Sequence, residues 1–207
     1  MPTASSSTAP APAPADGRSP RRGEAREQAI LAAAIELVGE VGYEKVTVDA
    51  IAARAHSSKT TMYRRWAGKP EIIADALRRQ AQGAEPDVPD TGSLRGDLLV
   101  IAGQIARTLL GGPGPSLIGL LEAIRDDSAL RELIGSQVRE RGHEVGRIVC
   151  ARANDRGEDV DVTRSAAALD LAFAQTFTDT LFRGGIPDLP ARERLVDQVL
   201  LPLLRRG

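Results

Sequence analysis

One short stretch of the chain is rich in hydroxyl, ammonium and guanidinium groups at helical spacing. Such groups donate hydrogen bonds to phosphate oxygens and to base edges, and a basic helix of this composition suits the major groove of DNA. The stretch follows a tight polar turn at His56 and Ser57. The chemistry that these groups favour is non-covalent recognition of a nucleic acid. The donors are Ser58, Lys59, Thr60, Thr61, Tyr63, Arg64 and Lys69.

Catalytic and metal-binding patterns are weak elsewhere in the chain. His143 and Cys150 are seven residues apart and share a face of one predicted helix, but two ligands do not make a metal site. The glycine-rich run 111–115 follows a predicted helix rather than a strand and lacks the Lys-Ser/Thr pair of a phosphate-binding loop. No convergent acid, base or nucleophile stands out. We therefore expect no metal, no cofactor and no enzymatic activity.

The composition predicts an all-α protein. Of 207 residues, 42% are apolar but only 3% are aromatic, so the core must be aliphatic and rich in Ala and Leu, which favour helices. No apolar run is long enough to span a membrane, and the N-terminus lacks the pattern of a secretory signal. A single cysteine excludes an intramolecular disulfide. These features predict a cytoplasmic protein with no membrane partner.

Charge is distributed unevenly along the chain. The net charge is −1, yet residues 18–80 hold 12 Lys and Arg against 8 Asp and Glu, whereas residues 81–207 hold 15 against 19. All three lysines lie in the first of these segments. This asymmetry indicates that the N-terminal part of the chain binds an anion and that the C-terminal part has another role.

Apolar periodicity and helix breakers divide the chain into three parts. Residues 1–20 are rich in Ala, Pro, Ser and Thr and are predicted to form a disordered tail. Residues 21–82 are predicted to form a domain of helices at about 23–41, 48–55, 58–66 and 69–82. Residues 83–207 form the second domain, which opens with a loop of helix breakers at 83–92. Its helices are predicted at about 94–109, 117–124, 129–152, 161–183 and 190–205.

Small and apolar residues at fixed positions accompany the polar stretch. The residues that form this ungapped pattern are Ala33, Ala34, Leu37, Gly42, Tyr43, Val46, Thr47, Val48, Ile51, Ala52, Ser58, Thr61, Tyr63, Trp66 and Lys69. The pattern resembles the DNA-binding domain of the tetracycline-repressor (TetR) family. His56 and Ser57 stand where that family usually has Gly and Val, and Trp66 stands where Phe is commoner. His56 is expected to need a positive φ, which His tolerates better than most residues.

The resemblance implies a role for each donor. Thr61, Tyr63 and Lys69 match phosphate-contacting positions, which set register without reading sequence. Lys59 and Thr60 match positions that face base edges, and Arg64 suits either task. Two further residues, Ser58 and Thr47, are expected to cap helices and also to belong to the DNA-facing set, whereas Met62 and Trp66 are expected to pack in the core.

The resemblance also implies that the second domain binds a small-molecule effector and pairs the helices at 161–183 and 190–205 with those of a second subunit. Apolar pockets between bundled helices are typical small-molecule sites. The predicted pocket residues are Ile105, Leu109, Leu121, Phe173 and Phe177. The predicted homodimer residues are Leu169, Phe173, Thr180, Leu195, Val199 and Leu203.

Two classes of function remain open at this point. The first is a dimeric transcriptional repressor that leaves a palindromic operator in double-stranded DNA when an effector binds. The second is a helical small-molecule-binding protein or enzyme that uses the C-terminal pocket and carries a vestigial DNA domain. An activator, or a dimer that binds DNA without regard to sequence, is a further variant of the first class.

Overall fold

The computed structural model describes residues 20–82, 88–111 and 116–206. The predicted tail, apart from Pro20, and most of the glycine-rich run 111–115 lie outside the described residues. In the part that is described, helices dominate and a single isolated β-bridge forms between Val160 and Arg205, so the all-α prediction is confirmed. The helices are α1 (Pro20–Val41), α2 (Val48–Arg54), α3 (Lys59–Tyr63), α4 (Lys69–Gln82), α5 (Leu94–Leu110), α6 (Leu121–Asp126), α7 (Ser128–Asp155), α8 (Ser165–Arg183), α9 (Leu189–Leu195) and α10 (Leu201–Leu204).

Several helices begin where a polar side chain accepts a hydrogen bond from a backbone N–H of the first turn. This bond satisfies a donor that has no partner within the helix, and it typically contributes about 1 kcal/mol. The predicted caps Thr47 and Ser58 act in this way on α2 and α3. Ser93, Asp127 and Asp188 do the same for α5, α7 and α9.

Helices α1 to α4 surround one apolar core. The apolar stripe of α1 is buried through Ile30, Ala34, Leu37 and Val38, whereas Val41, at the end of the helix, is exposed. Gly42 follows with φ 79°, a conformation that favours glycine. Ile51 and Ala52 of α2 are buried as well.

A second core lies between α5, α7, α8 and the last helices. Apart from Cys150, its buried residues are aliphatic, as the low aromatic content predicts. The buried carboxylate of Asp97 on α5 is satisfied by the backbone and hydroxyl of Thr91, at 2.6 and 2.8 Å, and by Arg156 at 3.2 Å. Since Arg156 lies just after α7, this polar cluster fixes the start of α5 against the end of α7.

The first core continues beyond the helices of the N-terminal part. Leu120, Ala123, Leu130 and Ile134, which lie before and within α6 and in the first turns of α7, belong to the same apolar cluster as α1 and α4. The predicted boundary near residue 83 therefore divides the chain in sequence but does not divide this core.

Several helix bounds differ from prediction; α6, for example, is Leu121–Asp126, and α8 begins at Ser165 rather than near residue 161. Helix α3 ends at Tyr63 rather than Trp66, and α7 extends to Asp155. The predicted last helix is interrupted by a π-helical turn at Val196–Leu200. The interruption precedes Pro202, which has no N–H to donate and whose ring would clash with the carbonyl four residues earlier in an α-helix. Among the described residues, no helix is long and apolar enough to cross a membrane.

Candidate DNA-binding surface

Helix α3 is held by a buried anchor on one side and presents polar groups on the other. Met62 is fully buried and Trp66, just beyond the helix, is nearly so, which confirms the prediction that both pack in the core. The turn before the helix places His56 at φ 46°, which confirms the predicted positive φ. A five-residue helix is not stable alone. Its position therefore depends on these buried contacts.

The polar side of α3 carries most of the predicted donors. Lys59 and Tyr63 are 54% and 55% exposed, and Thr60 and Arg64 are exposed as well. The Ser58 hydroxyl accepts from the Thr61 backbone N–H at 3.2 Å and lies 2.9 Å from the Thr61 hydroxyl. The predicted donors of α3 thus lie together on one short helix, with Ser58 and Thr61 orienting each other.

Helix α2 meets the first turn of α3 through an ion pair. Lys59 Nζ contacts the carboxylate of Asp49, and both side chains are exposed. Thr47, two residues before Asp49, is also exposed and caps α2 through the Ala50 N–H at 3.1 Å. The structure therefore places Thr47 beside the donors of α3. It also gives Lys59, the predicted reader of base edges, a carboxylate that would compete with DNA for its ammonium group.

Asp49→Asn is expected to raise affinity for duplex DNA by roughly two- to tenfold, because it releases Lys59 and removes a negative charge that faces phosphate. The measurement is fluorescence anisotropy at two salt concentrations. Glu132→Gln removes the same charge from an exposed position on α7 and serves as the control. Equal affinities of the two variants would show that the ion pair does not limit binding.

Lys69 occupies the first residue of α4 and is partly committed within the chain. Its ammonium donates to the Tyr43 carbonyl oxygen at 3.1 Å and lies 4.0 Å from the centre of the Tyr43 ring. An ammonium has three donors, so this arrangement leaves capacity for a phosphate. The cation–π contact and the carbonyl fix the position of the half-buried Lys69 side chain at the start of α4.

The Tyr43 ring extends the same network into the C-terminal part of the chain. The Tyr43 hydroxyl donates to Asp127 Oδ2 at 2.6 Å, and Asp127 Oδ1 accepts from the Leu130 N–H at 3.0 Å as the cap of α7. Burial, and then the hydrogen bond to Asp127, raise the pKa of Tyr43. The same hydrogen bond is the main cause that lowers the pKa of Asp127.

A buried carboxylate ties the end of α3 to α1 and α4. Glu27 of α1 is only 6% exposed and contacts Arg65 Nη1 at 2.6 Å as well as the guanidinium of Arg79. Arg65 also lies over the Trp66 ring, whose Nε1 donates to Asp75 of α4 at 3.2 Å. Together these contacts fix the orientation of α3 relative to the helices behind it.

Comparison with known proteins assigns the whole arrangement to one family. Residues 30–76 match the model described as bacterial regulatory proteins, tetR family, and residues 88–199 match the tetracyclin repressor-like C-terminal domain. A DNA-binding transcriptional repressor TetR of Mycobacteroides abscessus is 38% identical over 187 residues, which cover 90% of this chain and 97% of the relative. The chain belongs to the TetR family. It is a transcriptional regulator with a helix-turn-helix DNA-binding domain.

Other TetR-family relatives and structures agree. The uncharacterized regulator YdeS of Bacillus subtilis is 34% identical over 79% of this chain and 82% of its own length. The crystal structure of the family member SCO0332 has a TM-score of 0.59 at 26% identity, over 86% of this chain and 97% of that one. FadR of Bacillus subtilis, solved in complex with stearoyl-CoA, shares the fold with a TM-score of 0.57 at 18% identity, over 85% and 96%. The comparisons favour a regulator over the alternative of a vestigial DNA domain.

The predicted pocket residues of this TetR-family chain lie at different depths. Leu109 is fully buried, whereas Ile105, Leu121, Phe173 and Phe177 are half-buried. The two phenylalanine rings stack with their centres 6.3 Å apart. A pocket of about 210 Å³ lies instead at the turn between α8 and α9, and none of these five residues lines it.

The predicted dimer residues divide into two groups. Leu169, Thr180 and Leu195 are buried within the protomer, because α8 and α9 use these positions to pack on α5 and α7, so these residues are not on the surface available to a second subunit. Phe173 and Leu203 are half-buried and Val199 is exposed. The same helices and the turn between them expose other large apolar side chains, namely Leu171, Leu181, Phe182, Ile186 and Leu189.

Sequence reasoning missed the residues that hold the DNA-binding helix in place. Glu27 carried a readable signal, because a charged residue at this position continues the buried stripe of α1 by one turn before Ile30 and Leu31. The Tyr43–Asp127 pair joins residues 84 positions apart, so no local sequence pattern predicts it.

The cysteine Cys150 is buried. Burial raises the pKa of its thiol to about 11, so the thiolate form is suppressed at neutral pH.

Proposed function

We propose that this TetR-family regulator is a cytoplasmic dimeric repressor, which binds a palindromic operator and is released by a small-molecule effector. One observation carries the DNA-binding part of the proposal. The short helix α3 exposes hydrogen-bond donors on one side and is held in place by the buried side chains of Met62 and Trp66 on the other. Phosphate contacts from Thr61, Tyr63 and Lys69 would set the register, and Lys59 and Thr60 would face base edges.

Dimerisation is supported by the apolar surface of the α8–α9 hairpin. Phe182 is 80% exposed, and Ile186 and Leu189 are about half exposed. Such side chains at one end of a hairpin favour association with another apolar surface. A twofold dimer would present two copies of α3 to successive major grooves of a palindromic site.

Two observations support release by an effector: a fold relative that was solved with a bound ligand, and the apolar character of the predicted pocket residues in the C-terminal part. The fold relative FadR of Bacillus subtilis was solved with stearoyl-CoA. In this chain the predicted lining residues are aliphatic or aromatic, which suits a ligand with an apolar body. An effector releases DNA only to the extent that it prefers the conformation that does not bind the operator.

The proposal is tested by anisotropy on DNA from immediately upstream of the gene, compared with scrambled DNA at two salt concentrations. Tyr63→Phe and Lys69→Ala are each expected to weaken binding to both DNAs. The affinity should fall by roughly tenfold for Tyr63→Phe. Lys69→Ala should also lower the slope of log affinity against log salt concentration by about one. Lys59→Ala is expected instead to reduce the preference for particular base pairs in the operator. The binding free energy that separates the preferred base pair from another should fall by about 1–3 kcal/mol.

Arg147→Ala is the matched control, because it removes an exposed positive charge from α7, away from α3. Its binding is expected to equal that of the unaltered protein. If all four variants bind alike, α3 does not contact DNA and the proposed operator binding is refuted. Equal, steeply salt-dependent binding to both DNAs by the unaltered protein would instead indicate sequence-independent binding.

A further inference from the structure

In the part of the chain that the structure describes, the guanidinium of Arg192 on α9 has no counter-charge. Its side chain is half-buried, and its Nε is buried with no hydrogen-bond partner. A charge that is withdrawn from water without a partner is costly, and such a group is usually neutralised by an ion pair. Within the described residues, no carboxylate lies in ion-pair contact with this guanidinium.

In α5 and in the described segment 165–204, each carboxylate is engaged elsewhere. Sequence 165–204 contains five acidic residues, and α5 contributes one more, Asp97. Asp97 is held by Arg156 and Thr91. The other five are engaged as follows: Asp170 by His143, Asp179 by Arg183, Asp188 as the cap of α9, and Glu193 and Asp197 by Arg95.

A second guanidinium approaches the same place. Gly103 on α5 faces both groups: a Cβ on this residue would lie 2.8 Å from Arg192 Nη1 and 3.4 Å from Arg107 Nη1. The absence of a side chain on Gly103 allows both groups to approach this point. An anion bound beside Gly103 would be attracted to both guanidinium groups.

The chemistry of the two groups suits an anionic ligand. Guanidinium groups bind carboxylates and phosphates through two parallel hydrogen bonds, and these bonds are stronger than neutral ones.

We propose that Arg192 and Arg107 form an anion-binding subsite across Gly103 that holds the acidic group, a carboxylate or a phosphate, of the effector. The assignment to an effector rests on the proposed effector-responsive function. The subsite accounts for three features together: the unpaired guanidinium, the second guanidinium beside it and the glycine between them.

The first test uses thermal unfolding at constant ionic strength, with chloride replaced by inorganic phosphate or by acetate. The Tm of the unaltered protein is expected to rise by roughly 2–5 °C at saturating anion. Arg192→Gln should bind the anion at least about tenfold more weakly and lose most of the rise. Arg194→Gln, an exposed arginine two residues further on, should keep it. An equal rise in all three proteins, or none in the unaltered protein, overturns the proposal.

A second pair of variants separates a binding role from a structural one. In chloride alone, Arg192→Gln is expected to leave Tm unchanged or raise it, because it removes an uncompensated charge. Arg95→Gln should lower Tm, because Arg95 is paired with Glu193 and Asp197. Gly103→Ala keeps every charge but displaces Arg192 Nη1 and should weaken anion binding. If Arg192→Gln lowers Tm as much as Arg95→Gln does, Arg192 is structural and the subsite is refuted.

Sedimentation equilibrium and operator binding identify the source of the anion. If a carboxylate of a second subunit fills the site, Arg192→Gln will weaken the dimer about tenfold or more, and this result also refutes an effector subsite. If the effector fills it, the dimer and the operator affinity of anion-free Arg192→Gln will match those of the unaltered protein. Failure of the unaltered protein to bind its operator, with the anion response intact, would refute the proposed function and leave the subsite standing.

Discussion

Glu27→Gln is expected to lower the free energy of unfolding by about 2–3 kcal/mol and to weaken operator binding in parallel. The substitution keeps the shape of the side chain but removes a nearly buried charge that neutralises Arg65 and Arg79. Loss of one partner from a buried pair typically costs about 3–5 kcal/mol, and we expect less because the two guanidiniums are 56% and 34% exposed. The measurement is urea unfolding at fixed protein concentration.

Glu36→Gln provides a matched control for this variant. Glu36 lies on the same helix and also contacts an arginine, Arg54, but its side chain is 59% exposed. An exposed pair of this kind contributes at most about 1 kcal/mol. If the two glutamine variants lose the same stability, burial of Glu27 does not strengthen its contacts, and the expectation that it orients α3 is wrong.

Tyr43→Phe and Asp127→Asn are each expected to lower stability by about 1.5–3 kcal/mol, because each leaves one partner of a partly buried, charge-assisted hydrogen bond unsatisfied. Phenylalanine keeps the ring that contacts Lys69. Asparagine keeps a side chain that caps helices well, so the start of α7 should persist. The double variant should lose much less stability than the sum of the losses of the two single variants. The coupling energy from this double-mutant cycle should be about 1–2 kcal/mol.

The charge on Asp127 gives the same contact a pH dependence. Because the pKa of Asp127 is lowered in the folded state, its stabilising contribution is fully present above the pKa of the unfolded chain. It is lost as the pH falls through the lower, folded-state pKa. Tyr43→Phe should flatten this acid loss relative to the unaltered protein, and additive single variants with an unchanged pH profile would contradict the contact.

Local patterns predicted most of the helical elements, because each depends on neighbouring residues. Thr47 and Ser58 cap helices as expected. The positive φ at His56 was expected because the resembling family usually has Gly at this position. The π-helical turn was missed although Pro202 was visible. A proline in the last turn of a helix can end it or deform the turn before it, and the choice depends on packing.

The candidate DNA-contacting side chains were proposed from the family resemblance, whereas the contacts that hold them in place were not predicted. The contacts of Lys69 with Tyr43, of Glu27 with Arg65, and of Arg192 with Gly103 join residues far apart in sequence. Dimer residues could not be separated from core residues either, because an apolar face on α8 or α9 looks the same whether it meets its own chain or another. The burial of Leu169 and Leu195 needed the three-dimensional arrangement.

The continuity of the first core has a consequence for how such regulators diversify. Leu120, Ala123, Leu130 and Ile134 complete the interior of the DNA-binding helices from beyond residue 83. An exchange of ligand-binding halves between relatives at residue 83 would therefore separate side chains that are shaped to fit one another. Recombination that keeps residues 117–134 with the N-terminal helices would preserve that fit. The segment that must be exchanged as one unit is therefore larger than the helix-turn-helix domain.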